Sequence, residues 1–571
     1  MHTAYSIALI LARKHRMLPR LRMHRDHKTN SSSTLQLAAT LHTALTLLAV
    51  LAWCTVAFAQ STFGSIRGTV QDSSGSVIPG ASITAQSLDD NSERQAISGN
   101  AGEFLFENLK AGRYKLNIRH DGFSDAVVSG ATLEARQELR IPVTMPVAAA
   151  ATTVEVNVGS AQVNTENGTV SDTLSNEDVT QLPMNSRAVS SSPLASLAIL
   201  PSVVTDTQGN IAVGGATSSQ AGFSVDGIST ANVRSNGALR DAYPSSESIS
   251  ETKVTAFNNN AEFAQIGDVT FTTKSGTNKL HGSAFEYFQN DMLDANIYGF
   301  SSKAPKNFNA FGGSLGGPLV LPKPGGMKDR TFFFLDYEGN RKTQSYPQHL
   351  LVPTAAERAG DLTALGGPVI PASSINATAK ALLAYYPLPN VNGNGYDYQN
   401  LAPIPSNTNG WDLRVDETLS SKQSLYARFS WKNLTYSQGG GGLTANQFLP
   451  NVTANDQNRS LLVSHNYTVR NNLVNEFRFG FTNFTESDSF PIRGAAAISA
   501  LGLQGINLSA HPTGDAFPTS SFSDGSFSAI GQDRTGKTIS QTYEFTDSLT
   551  WVLENTVSSS APTHATCGTT H

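Results

Sequence analysis

Cysteine is nearly absent from this chain. Of 571 residues only Cys54 and Cys567 carry a thiol, and none lies between them. That excludes a disulfide framework, thiolate metal sites and a cysteine nucleophile from everything in between. Charge is scarce as well: Asp, Glu, Lys and Arg make up 15% of the residues. Beyond residue 60 no apolar run reaches the roughly 18 residues that a membrane-crossing helix needs. None of the 12 histidines stands in an H-x-x-E or H-E-x-x-H arrangement, so the ligand set of a zinc hydrolase is missing. No Walker loop is present, and the glycine-rich Gly312-Gly313-Ser314-Leu315-Gly316-Gly317 runs into Pro318 rather than into a helix, which argues against a phosphate cradle. No catalytic, cofactor-binding or metal-ligating residue is therefore assigned, and enzyme activity is not expected.

What remains is rich in Gly, Ser, Thr and Asn, interleaved with aromatic residues. Such a composition suits exported β structure or a membrane barrel better than a cytosolic enzyme. The N-terminus reads as an export signal. Seven basic residues, from Arg13 to Lys28, precede an apolar run, Leu35 to Val56, that ends in Ala57-Phe58-Ala59. Cleavage after Ala59 would leave Gln60 as the first mature residue. A membrane anchor is the other reading of that run, and translation from Met17 or Met23 would shorten the basic region. Removing residues 1–59 shifts the formal charge from −5 to −11, and so acidic a body argues against nucleic acid as a partner.

From Phe63 to about Met145, short β-branched runs alternate with turns. Strands are expected at Gly64–Val70, Val77–Gln86, Gly102–Glu107, Tyr114–His120 and Leu139–Val143, with a polar loop up to Asn100. The segments GSIRGTVQDSSGSVIPGASITA and GNAGEFLFENLKAGRYKLNIRHDGF resemble the carboxypeptidase regulatory-like domain. That resemblance implies a transthyretin-like β-sandwich within residues 60–147, of a fold grouped with carbohydrate-binding domains. No exposed aromatic platform is apparent, so a structural or docking role is expected.

The stretch Ala261–Asn290 holds a short β-branched run, Val269–Thr273, a Lys-Ser-Gly-Thr-Asn turn, and then an alternating segment from His281. Period-2 alternation recurs later. Leu425, Ala427, Phe429 and Trp431 oppose Ser424, Tyr426, Arg428 and Ser430. Phe477, Phe479 and Phe481 oppose Glu476, Arg478, Gly480 and Thr482. Tyr543, Phe545, Leu549 and Trp551 oppose Thr542, Glu544, Thr546 and Thr550. Arg and Glu on one face with Phe on the other fits a water-filled barrel in a bilayer, although a soluble sandwich burying the Phe faces shows the same alternation. Between such strands Ser301–Asp329, Val352–Asn409 and Pro491–Lys537 read as long loops, expected on one side of the sheet.

Ahead of the stretch Ala261–Asn290, VTQLPMNSR followed by LPSV, then GGA, then FSVDGI, then SISETKV resemble in order the plug signatures of TonB-dependent outer-membrane receptors, with an Asp-Gly turn, Asp226-Gly227, linking two short strands. Ala261–Asn290 itself resembles the junction where the plug of such a receptor hands over to its barrel. Behind it, FGGSLGGP, RTFFFLDYEGNR, YYPLPN and RVD resemble the Oar-like branch of that family. The resemblance implies a mainly β chain: the transthyretin-like sandwich, a small α+β plug at 165–278, and a transmembrane antiparallel β-barrel from 279 to 551. It implies outer-membrane localisation, uptake of an unidentified extracellular ligand, and a TonB-type periplasmic energy transducer as partner. Within the linker 148–164, Thr153-Val154-Glu155-Val156-Asn157-Val158 is the candidate TonB box, to be read by strand addition. The same hexapeptide also reads as a last strand of the sandwich.

Closure is the open matter at this level. A plugged transporter barrel has about 22 strands of roughly 9–11 residues, and only about eight are apparent before the alternation stops after Trp551. Residues 552–571 read as an atypical tail, and the barrel as incomplete, the expectation being a truncated receptor. The alternative is an exported surface protein that binds carbohydrate or protein without transport.

Overall fold

The computed structural model describes residues 61–147, 154–157, 168–181, 193–206, 210–232, 237–239, 242–259, 265–319, 330–438, 452–489, 492–506, 517–531, 537–553 and 556–570. All of them belong to one compact unit, Thr55–His571. The expected signal and its Ala59–Gln60 junction lie outside the described residues, as do Leu182–Arg187 of the first plug signature.

The first part is a β-sandwich of nine strands: β1 (Gly64–Asp72), β2 (Ser82–Ser87), β3 (Glu93–Ile97), β4 (Glu103–Leu109), β5 (Gly112–Arg119), β6 (Ala126–Leu133), β7 (Glu138–Arg140), β8 (Val143–Met145) and β9 (Val154–Asn157). One sheet runs β4-β1-β7, with β8 also on β1, and the other runs β3-β2-β5-β6-β9. Alternate residues point between the sheets, so Ile66, Val70, Ile83, Phe104, Phe106, Leu116, Ile118 and Val128 form one apolar core. Two expectations need correction here. The run Val77–Gln86 is not one strand, because Pro79-Gly80 breaks it and leaves Val77 only an isolated bridge to Gln71. The polar stretch before Asn100 carries β3, which pairs through its backbone with β2 whatever the polarity of its side chains.

The plug follows, with β10 (Val170–Ser175), β11 (Val203–Thr205), β12 (Ile211–Val213), β13 (Ala221–Val225), β14 (Ile228–Ser229), β15 (Ile249–Phe257) and β16 (Gly267–Thr273). Its main sheet runs β10-β15-β16-β13-β14, with β13 parallel to β16. A short helix, Asn176–Gln181, and a 3-10 turn, Pro193–Ile199, cover this sheet and share its core of Leu197, Phe223, Val254, Val269 and Phe271. Residues 274–280 then lead from β16 into the wall, where the junction was expected.

The wall is an antiparallel meander: β17 (His281–Asn290), β18 (Lys306–Pro318), β19 (Thr331–Ser345), β22 (Pro403–Ser420), β23 (Gln423–Gln438), β24 (Val452–Arg470), β25 (Leu473–Ser489), β26 (Lys537–Leu553) and β27 (Thr556–Thr570). Two short strands, β20 (Gln348–Leu350) and β21 (Tyr398–Asn400), pair within a loop. The sheet is a partial barrel whose edges in the described residues are β17 and β27. Again two expectations change. The middle of Ser301–Asp329 is not loop, since β18 occupies Lys306–Pro318 with its glycines paired in the ladder. Within the expected atypical tail, residues 552–571, the segment Thr556–Thr570 is a strand that pairs along β26. Backbone pairing needs no apolar alternation, and the register jumps from Asp547↔Thr563 to Leu549↔Ser560, so that Pro562, which has no N–H to give, falls in the irregularity of an edge strand.

Connections alternate in length. Two-residue turns at Ser421-Lys422 and Asn471-Asn472 lie on one side, where Asn471 also donates to the carbonyl of Gln95 in the sandwich. Residues 291–305 and 346–402, with 492–506 and 517–531, lie on the other. The second of these folds on the last two. Helix Ala377–Leu383 packs against helix Gly494–Leu501 around Ala497, Leu501 and Phe517. Val352, Tyr386 and Ile530 make a second cluster, with the Tyr386 hydroxyl donating to the Ser528 carbonyl at 2.6 Å. Phe300 and Tyr396 both stack on the His349 ring, at 4.3 and 3.8 Å between ring centroids, tying in the first loop.

Candidate functional site at the plug–barrel interface

Wall sidedness decides what this sheet is. Along β22 to β26 most of the buried residues are polar, among them Asp412, Arg414 and Asp416, then Arg428 and Ser430, then Asp456, Asn458 and Ser460, then Glu476 and Arg478, then Glu544 and Thr546. The aromatic residues between them point the other way; Trp551 is 49% exposed where Arg428 is 3% exposed. They pair across strands on that outer face, Phe479 with Phe545 and Phe481 with Tyr543, both at 4.9 Å. A soluble sandwich would bury the aromatic face. This wall instead buries its charges against the plug and turns its rings outward, as lipid requires.

The plug meets the wall at the expected Asp-Gly turn. Asp226 and Gly227 both take positive φ, 51° and 78°, in a two-residue hairpin between β13 and β14. The turn projects Asp226, which is fully buried and accepts from the Thr273 N–H at 2.9 Å and the Thr273 hydroxyl at 2.8 Å. Arg428 of the wall makes an ion pair with it at 2.8 Å, and Arg414 lies 3.7 Å away. Arg414 donates to the Thr273 carbonyl at 2.9 Å, holds Asp416 through two nitrogens, and lies 4.3 Å above the Tyr426 ring. Beyond the turn, Ile228 packs with Tyr426 and Leu462, and the Ser229 N–H donates to Glu544 at 3.0 Å. Each charge here is answered by an opposite charge or a hydrogen bond, the condition under which buried ions persist.

A second anchor is the turn before β15. The Ser245 N–H donates to Asp412 at 2.9 Å, its hydroxyl donates to Glu338 at 2.6 Å, and the Ser248 hydroxyl also reaches Asp412 at 3.1 Å.

The sandwich supplies a third. Lys110, in the turn between β4 and β5, donates to Asp416 at 3.1 Å and lies 3.7 Å from Asp90. Burial alone would lower its pKa, but Asp416 and Asp90 raise it. At the end of β6, Arg136 donates to Asp268 at 2.8 Å and to the Thr270 hydroxyl at 3.0 Å. Burial raises the Asp268 pKa although Arg136 opposes the shift. The Ala135 N–H donates to both oxygens of Glu251, at 3.0 and 3.2 Å, yet burial pushes that carboxyl up to about 7. A cavity of about 570 Å³ lies where sandwich, plug and wall meet, lined among others by Phe63, Lys110, Glu251, Lys274 and Arg414. The three parts are thus joined there by discrete polar contacts rather than by a continuous apolar seam.

Of the candidate TonB box, Val154–Asn157 is strand β9, parallel to β6 in the register Ala126↔Val154 to Ser129↔Asn157; Thr153 and Val158 lie outside the described residues. Gly312-Gly313-Ser314-Leu315-Gly316 lies inside β18, with the Ser314 hydroxyl 2.8 Å from that of Ser283. No group of three or more His, Cys, Asp or Glu side chains among the described residues is arranged to hold a metal ion. The sequence reading placed Arg428, Arg478 and Glu544 on the face opposite the aromatic residues and found the Asp-Gly turn. It missed Lys110, Arg136, Asp268 and the Ser245 anchor; the signal available for Asp268 was a lone charge within an otherwise β-branched strand.

A wall with charges inside and rings outside, filled by a separate α+β sheet, defines a plugged outer-membrane β-barrel. The family described as outer membrane beta barrel domain matches residues 272–556, and the carboxypeptidase regulatory-like domain matches residues 65–146. The TonB-dependent transporter Oar of Myxococcus xanthus is 26% identical over 312 residues, 52% of this chain and 28% of its own length. The chain thus carries a carboxypeptidase regulatory-like domain followed by an outer-membrane β-barrel domain, and it is similar to a TonB-dependent transporter. Among solved structures it is similar to the outer membrane transporter YddB from Escherichia coli, at 12% identity and a TM-score of 0.41, covering 67% of this chain and 46% of that one. The siderophore receptor PirA from Acinetobacter baumannii is similar at 14% identity and a TM-score of 0.40, covering 67% and 45%. The chain therefore spans about a quarter of the length of the curated relative and under half of these two structures.

Proposed function

We propose that this chain acts in the outer membrane as a receptor for uptake of an external ligand, with the plug as its movable stopper and a TonB-type transducer as its periplasmic partner. The observation that carries this reading is the inverted wall, in which Arg428 and Asp226 meet on the inside while Phe479 and Phe545 face outward. A stopper held by ion pairs and hydrogen bonds can be detached and reseated, because water replaces such contacts at little net cost once the interface opens. Residues Thr153–Val158 are the segment assigned to the transducer. Strand β9 is already extended, and in its sheet only one edge is occupied among the described residues, so a partner strand can add to the other. Export through a signal ending at Ala59, with Gln60 first in the mature chain, belongs to the same reading.

Fractionation tests it. The chain is expected in the outer membrane, migrating faster on gels before heating than after. A soluble, monodisperse mature chain would overturn the reading. The partner is tested by cross-linking at position 154 to the periplasmic domain of a TonB-type protein, expected to disappear when Val156 is replaced by Pro.

A further inference from the structure

We propose that the sandwich is a clamp on the plug, and that the clamp is worked through strand β9. Strand β6 lies between β5 and β9 and runs directly into the turn Glu134-Ala135-Arg136-Gln137. This turn enters the face of the plug sheet and touches three adjacent strands. Glu134 accepts from the Thr173 hydroxyl on β10 at 2.9 Å; the Ala135 carbonyl accepts from Lys253 on β15 at 2.9 Å; and Arg136 holds Asp268 and Thr270 on β16. Arg136 does so from a left-handed backbone, φ 61°, a conformation that costs an L-residue free energy and is kept here by the contacts its side chain makes. The guanidinium is 11% exposed and the Asp268 carboxylate fully buried, so losing either partner leaves the other charge stranded in the interior.

The same sandwich is tied to the wall, through Lys110 and Asp416 and through Asn108, whose side chain donates to Asn466 at 2.9 Å. A plug gripped by a body that also grips the wall cannot move past the wall until one grip opens. Strand β9 is placed to open it. Its pairing with β6 is parallel, so both strands head toward the Arg136 turn, and a load along β9 is borne as shear by β6. The covalent route from β9 to β10 is twelve residues long, 158–169, whereas β6 continues without a break into the turn that carries Arg136. A pull on β9 is therefore carried along β6 to the Arg136 grip. The clamp rests on the receptor reading only for what does the pulling.

Hydrogen–deuterium exchange of the purified full chain in detergent micelles tests it without ligand or transducer. Arg136→Ala is expected to raise exchange in residues 267–273 at least tenfold while β1 to β5 keep their rates. Arg136→Lys, which keeps the charge and loses the planar fork, gives a smaller rise and serves if the alanine variant does not fold. Exchanging the charges, Arg136→Asp with Asp268→Arg, restores protection. Glu155→Pro with Val156→Pro removes whichever N–H of β9 faces β6, and the same rise in 267–273 is expected. Unchanged exchange in 267–273 for the Arg136 variants, or a rise confined to β6 and β9 for the proline pair, would overturn the clamp and leave the receptor reading standing. Loss of transducer cross-linking would do the reverse.

Discussion

Gly480 of the wall faces Ile228 of the plug so closely that a β-carbon on it would lie 2.6 Å from the isoleucine Cγ2. A bare backbone at this point lets the Asp-Gly hairpin seat against β25. Gly480→Leu is expected to weaken plug seating by about 1–3 kcal/mol through overpacking, while the wall keeps its heat-dependent gel migration. Limited proteolysis of the plug against urea concentration reads the difference, and an unshifted midpoint would sink the idea.

Asp226 answers charge on Arg428 directly and on Arg414 at longer range. Asp226→Ala is expected to cost about 3–5 kcal/mol, because Arg428 keeps its burial and loses its counter-ion. Arg414 retains Asp416, so Arg428→Met in the Asp226→Ala background should recover part of the loss. Plug release in urea for the two single variants and the double variant forms the cycle that checks this.

Phe545 sits near the middle of β26 on the outer face, and Thr546 beside it faces inward. Phe545→Arg should destabilise the wall in lipid vesicles by about 2–4 kcal/mol, the cost of a cation near the bilayer midplane. Thr546→Ser, on the other side of the same strand, keeps the hydroxyl and removes one buried methyl, and should cost about 1 kcal/mol. Equal effects from the two would mean that the outer face does not meet lipid.

Acidity should tighten the join between sandwich and plug. Burial pushes the Glu251 carboxyl up from its usual 4.5 to about 7, against the Ala135 N–H, Lys253 and Arg136, with Glu134 adding to the rise. A group whose pKa is higher folded than unfolded contributes stability that is present below about 4.5 and lost as pH rises through about 7. Protection of residues 267–273 should fall over that window in the wild-type chain. Glu251→Gln should flatten the dependence, and an unchanged profile in that variant would assign it to another group.

Period two is local, so the strands of the wall could be read from the sequence; its sidedness could not, because the same letters serve a sandwich with its rings inside. That ambiguity is resolved only when Glu544 is found against Ser229 and Phe545 is found outside. The Asp-Gly hairpin was legible for a chemical reason, since two consecutive positive φ values call for that pair. Lys110 and Arg136 were not, because their partners lie 306 and 132 residues away and no local pattern marks either. Strand β3 and residues 556–570 escaped notice because backbone pairing, rather than apolar alternation, holds them in their sheets.

Phe517 is buried between Leu501 and Tyr385, its ring 4.9 Å from that of the tyrosine. Phe517→Ala should cost the packed outer loops about 3–5 kcal/mol and expose residues 377–383 and 494–501 to protease, leaving the wall intact. The loops so joined leave the wall between β19 and β22 and between β25 and β26, so they fasten together points separated by four strands, β22 to β25. They act as a tie-bar across the rim. Bending of the wall is then resisted from outside by this tie and from inside by the plug, and anything that loosens one shifts the strain to the other.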